Sequence, residues 1–127
     1  MKKEFLDYTE ALELKELGFD EPCFAYFKDE EFQYPNPYEP FKNSEMKSWC
    51  ITAPLYQQAF RFFREKYRLK GEVDTADTVW SKWSFKIELK GLTYILYSGL
   101  TEKIYFKTYG DAELACFRKL IEIVKNK

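Results

Sequence analysis

Hydrophobic and polar positions alternate along this chain in two distinct periods, and the switches between them outline the elements. In residues 8–17 the leucines Leu12, Leu14 and Leu17 supply the apolar positions of a short helix. Asp7 stands in front of them as an N-cap, and Glu10, three positions on, completes a capping box. Gly18 ends the helix because glycine takes the left-handed position past a C-cap without a Cβ penalty. Phe19 follows as the apolar residue that packs back on the last turn. The spacing therefore predicts a helix over about 8–17.

Residues 23–27, "CFAYF", are aromatic-rich and bounded by Pro22 and by the polar run "KDEE", which reads as a strand. Phe32 to Tyr34 offer it a hairpin partner. The segment 35–41 cannot continue a central strand, because proline donates no ladder hydrogen bond. "SWCIT", 48–52, is the next strand candidate. In "APLYQQAFRFFREKY" the period changes to 3.6: Tyr56, Ala59, Phe60, Phe63 and Tyr67 form one apolar stripe. Ala53 has N-cap geometry because a proline follows it, and Pro54 fits the first helical position, where its missing N–H costs nothing.

Beyond this helix the period returns to two. "RLKGEVD" offers a short strand. In 80–89, Trp83, Phe85, Ile87 and Leu89 fall on one face, with Lys82, Ser84, Lys86 and Glu88 on the other. Lys90-Gly91 turns into "LTYILYSG" as a hairpin, and "KIYFK", 103–107, alternates again. The last segment, 109–125, is a helix capped by Thr108, with Asp111 at its third position. Ala112, Cys116, Leu120 and Ile123 make its stripe, widened by Ala115, Phe117 and Val124. Strands come in runs rather than singly between helices. The expectation is an α+β fold: one domain over 1–127 with an antiparallel sheet and about three helices, mainly on one face.

"EALELKELGFDEPCFAYF", "APLYQQAFRFFREKY" and "KTYGDAELACFRKLIEIVKNK" resemble a family of small uncharacterised proteins from Bacteroides-type gut bacteria and their phages. The likeness covers both ends and the middle helix, roughly half the chain. The chain departs from the family's pattern at Gly110, where acidic residues follow the Thr-Tyr pair. The resemblance implies only a cytoplasmic origin, in a phage or mobile element, and carries no activity and no site residue with it.

Composition narrows the chemistry. The 127 residues carry a net charge of −1, so a broad electrostatic grip on nucleic-acid phosphate is not expected. No run of about 18 apolar residues marks a membrane span, and the N-terminal stretch lacks the apolar core of a signal peptide. Cytoplasmic location is the expectation. There is no histidine, which excludes Ser-His-Asp and Cys-His catalysis and His-ligated zinc. The three cysteines, Cys23, Cys50 and Cys116, are too few and too scattered for a Cys₄ site. Each sits among apolar neighbours, where a thiol acts as a small hydrophobe. Glu30-Glu31 and Asp74-Asp77 offer paired acids, but in polar turns where solvated charge is the plainer reading. No catalytic residue, metal ligand or cofactor is assigned, and the chain is read as a non-enzyme.

Aromatic residues make up 20% of the chain, and that surplus points to a partner. Tyr34, Tyr38, Phe41, Tyr94 and Tyr105 are the partner-binding candidates, with an unknown protein or a second copy of the chain as the partner. Leu96 and Trp80 also interrupt the sheet's polar second face. The segment "FQYPNPYEPF", 32–41, contains a P-x-x-P spacing at Pro37 and Pro40, which suits a polyproline groove. Its four rings instead favour an ordered loop clamped on the domain. The alternative function is nucleic-acid binding through Arg61, Arg64, Arg68, Lys82 and Lys86. The order helix–strands–helix over 54–125 matches a double-stranded RNA-binding domain, but the last helix opens "YGDAELA", acidic where phosphate would dock.

Overall fold

The computed structural model describes residues 4–34, 40–45, 47, 49–76, 82–89 and 95–126. Among them are three α-helices and six strands, an α+β fold. The strands divide between two three-stranded antiparallel sheets. The chain divides correspondingly into two compact units, residues 1–59 and 60–127.

In the first unit, α1 (Tyr8–Glu16) is followed by β1 (Ala25–Lys28), β2 (Glu31–Gln33) and β3 (Cys50–Ala53), in sheet order β2-β1-β3. The end of α1 is the motif expected of Gly18. Its φ is 98°, its N–H bonds to the Lys15 carbonyl, and the Phe19 N–H bonds to the Leu14 carbonyl at 3.2 Å. Those two bonds make a Schellman motif, with Leu14 and Phe19 both buried. The start differs from the expected capping box: Asp7 holds the cap position in extended geometry but its side chain makes no cap hydrogen bond. The β1–β2 hairpin turns on Asp29 and Glu30, with φ of 51° and 70°. Two left-handed residues match a type I′ turn, here built without glycine.

β3 lies at the edge of this sheet, yet all four of its residues are buried. Side-chain and loop groups close that edge. The Asn43 side chain, in the 3₁₀ turn Asn43–Glu45, accepts from the Thr52 N–H at 2.9 Å and donates through Nδ2 to the Phe19 carbonyl at 3.0 Å. The Lys47 carbonyl takes the Cys50 N–H at 2.9 Å. An edge closed in this way offers no template to another strand.

α2 (Tyr56–Tyr67) begins later than expected. Pro54 is not its first residue. An antiparallel bridge between Phe5 and Leu55 holds this stretch extended, with the Leu6 N–H on the Pro54 carbonyl at 2.8 Å. Leu55 takes the cap position: its carbonyl accepts the Ala59 N–H, and the Gln58 side chain folds back onto its N–H. The stripe Tyr56, Ala59, Phe60 and Phe63 is buried, and Phe62 joins it.

The second unit is a two-layer arrangement. Its sheet runs β4 (Leu69–Thr75), β5 (Trp83–Leu89), β6 (Ile95–Ser98), and α3 (Tyr109–Lys125) packs on β4 and β5. The Thr108 hydroxyl caps α3 by accepting the Asp111 N–H at 3.1 Å. Ala112, Cys116, Phe117, Leu120 and Ile121 form its buried face. Ile121 therefore takes the place expected of Ile123. Phe117 meets Phe63 edge-on at 5.9 Å. Gly71 lets helix and sheet approach closely, since a Cβ there would lie 2.9 Å from Cys116 Sγ.

Two expectations for this unit fail. "KIYFK" is not a strand: only Phe106 pairs, through an isolated bridge to Trp83. The chain after β6 curls instead, with Lys103 at φ 59° and the Ile104 N–H on the Gly99 carbonyl at 2.8 Å. Ser84 does not face solvent either. The curled segment covers it, and its hydroxyl donates to the Ile104 carbonyl at 2.8 Å.

Candidate functional site

The curl after β6 leaves the 104–107 stretch facing α3 across a groove of about 770 Å³. This volume lies within the range of sites that hold a small ligand or a few anchoring side chains. Its floor is aromatic. Phe85, from the central strand, stacks on Tyr97 of β6 at 5.0 Å and leans on Phe106 at 6.1 Å. Ile104 and Tyr105, 42% and 36% exposed, stand on one side. On the other, α3 presents Asp111, Leu114, Ala115, Arg118, Lys119 and Glu122. These positions follow the i, i+3, i+4, i+7, i+8, i+11 progression, a single line along the helix.

The groove's charge comes from Lys107, Arg118 and Lys119 against Asp111 and Glu122. Lys119 bonds to Glu122 at 3.2 Å while its ammonium lies 4.9 Å from the centre of the Tyr97 ring. Asp111 sits in the first turn of α3, where the helix dipole's positive end offsets part of its charge. The groove is thus lined by charges of both signs.

The opposite face of the same sheet is ionic. Lys86 bridges Glu88 at 3.1 Å and Glu72 at 3.6 Å, and Lys70 reaches Glu72 at 3.6 Å. Lys86 stays protonated above its ordinary range, first through its hydrogen bond to Glu88. The Asp74 carboxyl is raised, first by desolvation and then by Glu72 and Glu88. Three carboxylates against two ammonium groups make this a poor surface for phosphate.

The sequence-predicted residues distribute as follows. Tyr105 lines the groove. Tyr34 and Phe41 belong to the first unit and pack on their own core. Tyr34 meets Phe5 edge-on at 5.8 Å while remaining 48% exposed. Phe41 meets Tyr26 at 5.7 Å and bridges Cys23 through two backbone hydrogen bonds. Both flanks of the proline-rich segment are thus pinned. Tyr38 and Tyr94, with Trp80 and Asp77, lie outside the described residues. Arg61 and Arg68 are exposed and Arg64 half-buried, with Arg68 at φ 59° just past α2. Lys82 is exposed, whereas Lys86 is engaged by acids.

Sequence reasoning missed Tyr97, Phe106, Leu114, Arg118 and Lys119. Leu114 offered a signal, because it is an apolar residue outside the predicted stripe of its helix. The rings of the floor gave none, since their meeting depends on the curl after β6.

The cysteines are free and buried. Burial pushes the Cys23 and Cys116 thiols up to about 12, so neither is a ready nucleophile. Among the described residues no cluster of three His, Cys, Asp or Glu is placed to hold a metal ion. No described helix is long and apolar enough to cross a membrane. Comparison with protein-family models, curated proteins and solved structures gave no match. Fold and site together define an α+β protein that carries, among the described residues, an aromatic groove with a charged rim beside α3.

Proposed function

We propose that this protein acts without chemistry of its own, as a cytoplasmic accessory factor that binds another protein through the groove beside α3. The observation that carries the reading is the groove itself: stacked rings on its floor, partly exposed Ile104 and Tyr105 at its side, and charges along the rim. An apolar centre with a polar rim is the anatomy of a protein-binding surface, and aromatic residues supply most of the energy at such sites. Nucleic-acid binding has less support, because the sheet lysine Lys86 is held among carboxylates.

Affinity purification from a bacterial lysate with the wild-type chain and with Leu114→Glu tests the reading. Leu114 is only half-buried, so the variant retains its fold, which thermal melts would verify. The expected result is a co-purifying protein lost with the variant. Identical co-purifying proteins in both samples would place binding elsewhere, and a gel shift that weakens with salt would favour nucleic acid.

A further inference from the structure

Resting on that reading, we propose that Lys119 is a displaceable cover over the groove's aromatic floor, so that the free protein shields the ring face its occupant needs. Position is the first argument. A helical side chain leans over the turn that precedes it, so the Lys119 stem leans toward Ala115, one turn back on the groove side of α3. Alanine is too short to fill the space in front of the floor. The Lys119 side chain crosses it and brings its ammonium over the Tyr97 ring, 4.9 Å from the centre. Tyr97 already stacks on Phe85 at 5.0 Å and 22°. The stack leaves Tyr97 one open face, and the ammonium occupies it.

The weakness of the hold is the second argument. Lys119 is bonded to Glu122 at 3.2 Å, with the two side chains 30% and 56% exposed, and exposed ion pairs contribute little. A lysine placed before its acid on a helix is the weaker order of the two. Glu122 also sits in the last turn of α3, where the dipole disfavours an acid. The pair therefore adds little to the helix, and a cation over a half-exposed ring is held by a similarly small amount. Together the two contacts amount to about three- to tenfold in an equilibrium constant. A cover held this lightly gives way to an occupant without unfolding anything.

The consequence for recognition follows. An apolar or aromatic group of the occupant reaches Tyr97 only when the Lys119 ammonium swings out to the rim. In the free protein the cover shortens the exposed apolar surface, which guards the floor against unspecific contacts. Lys119 thus acts against every occupant by the same factor, and an occupant whose apolar group fills the space in front of Ala115 overcomes it.

The test is an NMR titration of the intact protein with indole, a neutral aromatic probe, on wild type, Lys119→Ala, Glu122→Gln and Leu114→Glu. Alanine is the best helix former, and circular dichroism confirms that each variant keeps the wild-type fold. In the free protein the Lys119 methylene next to the ammonium should resonate upfield of those of exposed lysines, shielded by the Tyr97 ring, and bound indole should abolish that shift. Indole should bind Lys119→Ala about three- to tenfold more tightly than wild type, Glu122→Gln by an intermediate factor, and Leu114→Glu not at all. Equal affinity for wild type and Lys119→Ala, lost on Leu114→Glu, would overturn the inference while leaving the groove as a binding site, and so would absence of the upfield shift. Weaker binding to Lys119→Ala would overturn it too, because Lys119 would then be a contact of the occupant. If no variant binds indole in a way that Leu114→Glu removes, the inference also falls, and the protein-binding reading then rests on the co-purification alone.

Discussion

Replacing Asn43 by alanine tests how the first unit holds its edge strand. The Asn43 side chain makes two hydrogen bonds to buried backbone, to the Phe19 carbonyl at 3.0 Å and from the Thr52 N–H at 2.9 Å. Both contacts are sealed from water, and alanine removes both, leaving the Thr52 N–H without its acceptor. The orphaned N–H costs about 1–3 kcal/mol and the second lost hydrogen bond about 1 kcal/mol, so the variant should lose about 2–4 kcal/mol. That is a large share of the roughly 5–15 kcal/mol that holds an ordinary domain together. Urea titration followed by far-ultraviolet circular dichroism reads the loss as a lowered midpoint at unchanged slope. Glu45→Ala serves as control: Glu45 accepts the Lys42 N–H at the exposed side of the same turn, so its loss should stay within about 0.5 kcal/mol. Asn43→Asp adds a sign. The new carboxylate can still accept from Thr52 but faces the Phe19 carbonyl without a proton to donate. Burial raises its folded pKa above the unfolded value, so the folded state holds the proton longer. That variant should therefore lose stability as pH rises above about 4. A loss below about 1 kcal/mol for Asn43→Ala would refute the account of the closed edge.

Three further outcomes follow from the packing of the second unit. Gly71→Ala should cost about 1–3 kcal/mol by overpacking, since the new methyl would lie 2.9 Å from Cys116 Sγ and 3.1 Å from Leu120 Cδ1. Pairing it with Cys116→Ala should be less than additive in urea melts. Gly110→Ala should instead stabilise by about 0.5–1 kcal/mol, because nothing lies within 4 Å of a Cβ there and the site is helical. The buried thiols make stability fall at high pH. Unfolded cysteine ionises from about 9, while folded Cys116 keeps its proton until about 12. The folded state thus binds more protons between those values and loses up to about 1.4 kcal/mol per pH unit per thiol. The stability gap between wild type and Cys116→Ala should accordingly shrink from pH 8 to pH 10, and a constant gap would contradict this.

Local signals were readable in the chain, and long-range ones were not. Gly18 and Thr108 end and start their helices through bonds within a few residues, so both were legible. Pro54 failed as a helix start because Phe5, almost fifty residues away, bridges Leu55 and holds it extended. Alternation in 103–107 failed for a related reason. The pattern was present, but only Phe106 finds a strand to pair with. Ser84 looked like a solvent-facing residue until the curl after β6 covered it. The aromatic surplus pointed to a binding surface, and of its candidates Tyr105 lies in the groove. The rest of the groove depends on where Phe85, Tyr97 and Phe106 meet, a product of tertiary structure.

Photo-crosslinking tests the central claim, that the groove beside α3 binds a partner protein, most directly. Benzoylphenylalanine would replace Tyr105 and Arg118, on opposite sides of the groove, and the exposed Glu65 of α2 as the reference. After irradiation in cells, the account predicts one and the same protein joined to positions 105 and 118 and absent from 65. No adduct at either groove position, or the same adduct at all three, would contradict it.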